Sequence, residues 1–106
     1  MSDIRFEDLG DGKFALHGKL TFTTATSALE LSKGLFADHA RIELDMTNVE
    51  DGDSAGLALL LEWVNWAKNF VREIRYINIP PEIVAIAQIS EVDDMLTKGE
   101  RWTGII

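Results

Sequence analysis

The 106-residue chain has no cysteine, which excludes disulfide staples, thiolate catalysis and cysteine zinc sites. It has only two histidines, His17 and His39, which fall in different expected elements without a ligand partner at a diagnostic spacing. No metal site follows from them. Ten Lys and Arg against eighteen acids leave a formal net charge of -8. That field repels nucleic-acid phosphate and anionic lipid, so neither is an expected partner. Long apolar runs are also missing. The longest, Ala55 to Leu61, falls far short of the ~20 residues a spanning helix needs. The opening Met1-Ser2-Asp3-Ile4-Arg5-Phe6-Glu7 has no basic flank leading into an apolar run, which argues against a secretory signal. Eight glycines are scattered, and none forms a loop followed by Lys and Ser or Thr that would cradle a nucleotide phosphate. Acid pairs such as Asp51 with Asp53 read as surface charge, because no apolar pocket is evident to tune them. The expectation is a protein without cofactor, metal or enzymatic activity.

Against these absences, 46% of residues are apolar and 26% charged, a balance that supports one packed domain over residues 1–106. Residues 97–106 carry no period and are expected as a flexible tail. Ile4 to Leu9 and Lys13 to Leu20 read as a hairpin turning at Asp11-Gly12. Ala25 or Thr26 through Phe36 has helical spacing in Ala28, Leu31 and Leu35. Ala40 to Met46 alternates as a strand, and Thr47 to Asp53 reads as an acidic turn. Ala55 to about Phe70 lacks proline and should form a long helix, with Ser54 placed to cap it. Ile74 to Ile79 is a further strand. Pro81 opens a helix through Ile89, and Ser90 with Asp93 suggests a cap for a last helix over Glu91 to Leu96. The fold class expected is α/β, bordering on α+β: a mixed sheet of four to five strands flanked by about four helices.

Two features point to function. Ser54 places a hydroxyl between a strand exit and a helix start, either as a plain cap or as a regulatory, partner-facing group. Around it, Asp51 and Asp53 would repel added phosphate, and small Ala55 and Gly56 allow close approach ahead of Leu57. At 100° per residue, Leu57, Leu60, Leu61, Val64, Ala67 and Val71 share the sector expected to face the sheet. Leu59, Trp63, Trp66 and Phe70 fall in a second sector. That stripe either forms a partner surface or packs beneath the terminal segments.

The run Leu44-Asp45-Met46-Thr47-Asn48-Val49, an acidic loop, then Asp53-Ser54-Ala55-Gly56-Leu57 through Leu61 resembles the signature of the STAS domains, the family of anti-sigma-factor antagonists. The likeness extends through Glu62-Trp63, Ala67 and Asn78-Ile79-Pro80, and is closest to the MlaB-like subgroup. The resemblance implies a mixed sheet flanked by helices, with a signature hydroxyl, here Ser54, starting a central helix. Gly52 stands where the family commonly carries an apolar strand-end residue. For the MlaB-like subgroup, the resemblance implies a cytoplasmic adaptor docked on the ATPase of an ABC phospholipid transporter. Through that ATPase it would meet an inner-membrane permease complex and support outer-membrane lipid asymmetry. For the antagonists, it implies that Ser54 is the target of an anti-sigma kinase.

Overall fold

A computed structural model describes residues 4–98. The hairpin forms as its turn chemistry dictates: Gly10, Asp11 and Gly12 take φ of 91°, 55° and 80°, and the Asp8 carboxylate accepts the Gly10 amide at 2.8 Å. The turn joins β1 (Ile4–Gly10) antiparallel to β2 (Lys13–Leu20). Next come α1 (Ala25–Phe36), β3 (Arg41–Asp45), β4 (Val49–Gly52), α2 (Ser54–Asn69), β5 (Glu73–Ile77), α3 (Pro81–Ile89) and α4 (Asp93–Lys98). The strand order is β1-β2-β3-β5, and β2, β3 and β5 run parallel. This is a mixed α/β fold with a five-stranded sheet and four helices among the described residues. The expected tail at 97–106 lies largely outside the described residues.

The strand period sorts the side chains onto two faces. Phe14, Leu16 and Leu20 of β2, Ile42 and Leu44 of β3, and Ile74 of β5 are buried beneath the helices. The alternating positions Lys13, Arg41, Glu43, Glu73 and Arg75 line the other face. There Arg41 pairs with Glu73 at 3.3 Å and Arg75 with Glu43 at 3.8 Å. Such exposed pairs each contribute no more than about 1 kcal/mol, so the fold rests on the covered face.

The acidic stretch expected as a turn contains a strand. β2 has eight residues, and β3 pairs only with Lys13 to Ala15. The rest of that edge takes β4 in parallel, Gly18 opposite Val49 and Leu20 opposite Gly52. Unpaired backbone groups on an interior edge would be costly, and this pairing satisfies them whatever the composition of Val49-Glu50-Asp51-Gly52.

Two helix ends also differ from the sequence reading. Val71 leaves the sheet-facing sector because α2 stops at Asn69, and Val71 turns to φ 54° and is 63% exposed. The Arg72 amide then reaches back to the Ala67 carbonyl at 2.7 Å, closing a Schellman motif. Ser90 does not start the last helix. It ends α3, Glu91 takes φ 59°, and the Val92 amide donates to Ala87, so α4 begins only at Asp93. A β-branched residue is strained in the left-handed region. Val71→Gly should therefore stabilise the domain by about 1 kcal/mol, read as a rise in the urea midpoint.

Candidate functional site at the start of the central helix

The chain passes from β4 into α2 through Asp53, which is extended at φ -132° and ψ -168°. Its Oδ1 accepts the amides of Ala55 at 2.9 Å and Gly56 at 3.2 Å, and its Oδ2 accepts the Phe22 amide at 3.1 Å. One carboxylate thus caps the helix, favours its dipole and ties down the loop between β2 and α1. The cap is Asp53, not Ser54 as the spacing suggested, because the extended residue between β4 and α2 is the one whose side chain reaches the free amides. Ser54 is the first helical residue. It is exposed, and its hydroxyl has no side-chain partner among the described residues.

Close approach fixes the rest of this corner. A Cβ on Gly56 would stand 2.5 Å from the Leu20 carbonyl oxygen, so only glycine lets the first turn of α2 rest on the end of β2. At Gly52 a Cβ would lie 2.6 Å from Ile83 of α3. Ile83 already fills the space that an apolar strand-end residue would take. Leu57 is buried directly beneath. Asp51 is exposed and accepts the Gly52 amide at 2.9 Å.

Beside Ser54, Phe22 stands 82% exposed. It borders an open apolar groove of about 350 Å³ between α1 and α2, with Ala25 and Leu29 on one wall, Ala55 and Ala58 on the other, and Glu62 at its far end. Sequence reading missed Phe22. Its signal was a large aromatic set among Thr21, Thr23 and Thr24, where no helical or strand period calls for one.

A second polar node holds the turn before β4. Asp45 Oδ1 accepts the Thr47 hydroxyl at 2.6 Å, the Thr47 amide at 2.9 Å and the Asn78 side-chain amide at 3.3 Å. The Thr47 hydroxyl bond, then its amide, hold Asp45 below the usual carboxylate range against a smaller desolvation. On α2 itself, the Tyr76 hydroxyl donates to the Leu60 carbonyl at 2.6 Å, and burial pushes that phenol well above its ordinary value. The second contact ties β5 to the helix that carries Ser54. No group of three His, Asp or Glu among the described residues is arranged to hold a metal.

The expected partner stripe divides. Leu59 and Trp63 are buried at 5% and 1% exposure, so they are core residues and not surface. The wheel placed them away from the sheet, but α1 packs over that side: the Trp63 indole donates to Ser32 Oγ at 2.9 Å and lies against Phe6 and Phe36. Trp66 is half-buried, 6.0 Å from Phe36, with the Arg72 guanidinium 5.7 Å from its ring centre. Only Phe70, 61% exposed, stands clear. The Ser54 corner and the Phe70 end are separate places on α2.

A family model described as "Mlab, STAS domain" matches residues 7–97. The chain belongs to the STAS family. No curated protein sequence matches it. Among solved structures, this STAS domain is similar to the anti-sigma factor antagonist SpoIIAA in its unphosphorylated form. The TM-score is 0.60 at 16% identity, over 81% of this chain and 82% of that one. It is similar also to the phosphorylated form of SpoIIAA, described as a Bacillus cell fate determinant, at TM-score 0.63 and 16% identity over 84% of each chain. At that identity the likeness establishes a shared fold. As a STAS domain the chain is a non-catalytic interaction module, and its described residues include no helix long and apolar enough to cross a membrane.

Proposed function

We propose that this STAS domain is a cytoplasmic regulatory adaptor that docks a partner at the Ser54 corner and is switched by phosphorylation of Ser54. The observation that carries the reading is the division of labour at the helix start. Asp53 holds the cap, so the Ser54 hydroxyl is exposed and uncommitted at the position where a helix N-terminus favours negative charge. A phosphate there adds about -1.5 to -2 charge beside Asp51 and Asp53. It would leave the Asp53 cap in place while changing the face a partner meets. Similarity to an antagonist solved in both phosphorylated and unphosphorylated forms supports an anti-sigma kinase as that partner.

The test is direct phosphorylation. Incubated with a cognate anti-sigma kinase and ATP, the chain should gain one phosphate by mass spectrometry, and Ser54→Ala should gain none. Ser54→Asp should keep the thermal unfolding profile and lose kinase affinity. Phosphate found elsewhere on the chain, or unchanged binding by Ser54→Asp, would overturn the switch.

The family description favours a second reading, in which the same corner docks on the cytoplasmic ATPase of an ABC phospholipid transporter and no phosphate is involved. Co-purification separates the two, since one complex contains an ABC ATPase with its permease and the other an anti-sigma kinase.

A further inference from the structure

The open groove beside Phe22 does not stop at Glu62. A second apolar recess of about 250 Å³ continues along the same seam between α1 and α2, and Leu29 and Glu62 line both. Past Glu62 the walls are Phe36 of α1 and Trp63 and Trp66 of α2. From Ala55 to Trp66 the seam runs about 17 Å along α2, at 1.5 Å per residue.

We infer that the occupant of this seam is a helix of the partner, amphipathic and carrying a lysine or arginine opposite Glu62. The inference rests on the reading of the Ser54 corner as a docking site and adds what docks there. Both walls are helices, whose backbone N–H and C=O groups along the seam are bonded within α1 and α2, so they offer no ladder to an extended chain. Buried Ser32, which lines the second recess, is committed as well. Its Oγ accepts from the Trp63 indole at 2.9 Å and donates to the Leu29 carbonyl at 2.7 Å. A segment that enters must bond its own backbone, and about three turns of helix do so over the length of the seam.

Charge selects the rest. Glu62 is exposed midway along the seam and forms no ion pair among the described residues, whereas Lys33 on the opposite wall is held by Glu30 at 2.9 Å. A purely apolar helix would cover the Glu62 carboxylate and leave it without a partner. A lysine or arginine at the edge of the apolar face supplies one, while its aliphatic stem lies against the groove. The net charge of -8 favours the same sign during encounter. Ser54 lies about 12 Å before Glu62 along α2, beyond the ~8 Å Debye length at physiological salt. A phosphate there bears on the near end of the docked helix and leaves the central ion pair alone.

The probe is a synthetic end-capped peptide of about fifteen residues, alanine and glutamine with leucines at i, i+3, i+4 and i+7 and one central lysine beside them. Titrated into the isotope-labelled full chain, it should shift the amides of Leu29 and Ala58 and the Trp66 indole. Ala58→Glu sets a charge into the seam from an exposed helical position and should weaken the peptide about tenfold or more. Glu62→Lys should do the same, and a peptide with glutamate in place of the lysine should then prefer the Glu62→Lys chain to the parent. Circular dichroism checks that each variant folds, and a peptide of the same composition with scattered leucines is the control. The assignment is overturned if the control binds as well, if no peptide binds, if the shifts fall outside the seam or if either variant is indifferent. Nuclear Overhauser contacts placing residues 99–106 or a second copy in the seam before peptide is added would also overturn it. Failure on any of these grounds, with Ser54 still phosphorylated by the cognate kinase, removes the docked helix and leaves the switch standing. Loss of the peptide in both variants, with no phosphate on Ser54, supports the docked helix and removes the switch.

Discussion

Trp63→Ala is expected to destabilise the domain by about 3 to 5 kcal/mol, measured by urea unfolding followed by circular dichroism. The ring is 1% exposed, and its neighbours are aromatic: Phe36 at 5.5 Å and Phe6 at 6.0 Å between ring centres, both edge-on. Removing it opens a cavity that two flat rings on separate elements fill poorly. It also removes the donor to Ser32 Oγ, although that hydroxyl still donates to the Leu29 carbonyl at 2.7 Å. A domain of this size has about 5 to 15 kcal/mol of stability in total, so the variant is expected to be marginal or unfolded. Trp63→Phe keeps an edge-on ring and should lose much less. An alanine variant within about 1 kcal/mol of the parent would contradict this packing.

Trp63 also shows where sequence reading reaches its limit. The length and amphipathic character of α2 were legible because they are local: a proline-free run with helix-forming residues and a clear apolar period. The period gives an angle for each side chain, but it does not say what lies at that angle. With the sheet as the only wall, Trp63 and Leu59 point away from it and look like surface. α2 instead packs against α1, α3 and α4 as well as the sheet, so Leu59 and Trp63 are buried along with the sheet-facing residues.

The hairpin and Pro81 were legible for the same local reason, since φ is set by Gly10, Gly12 and the proline ring. β4 was not, because it exists to satisfy the part of β2 that β3 leaves unpaired, a relation between residues some thirty positions apart. The identity of the cap was lost with it. Asp53 and Ser54 are both good N-cap residues, and the choice between them depends on where β4 ends and on the Phe22 amide that Asp53 also holds. The run around Ser54 does lead into α2, but the cap is Asp53, so of the two readings open for Ser54 the plain cap falls away and the exposed hydroxyl is left.

The Asp53 cap sharpens the expectation for Phe22, which should be the binding hot spot of the Ser54 corner. Phe22→Ala should weaken the complex with the physiological partner by about 2 kcal/mol or more, a loss of roughly thirtyfold in affinity. An aromatic 82% exposed, beside an apolar groove and anchored through its backbone by Asp53, offers a large contact area on a positioned loop. Its removal takes almost nothing from the core, so thermal unfolding should be unchanged. This is the difference from Trp63→Ala, whose loss of binding would only report loss of fold. Phe70→Ala is the matched comparison, since Phe70 is 61% exposed on the same helix but at its opposite end. Isothermal titration of both variants decides between the ends of α2. Loss confined to Phe22→Ala places the partner at Ser54, where a phosphate would control it. Loss confined to Phe70→Ala moves docking to the Trp66 and Arg72 side, out of reach of that phosphate, and removes the physical basis for a Ser54 switch.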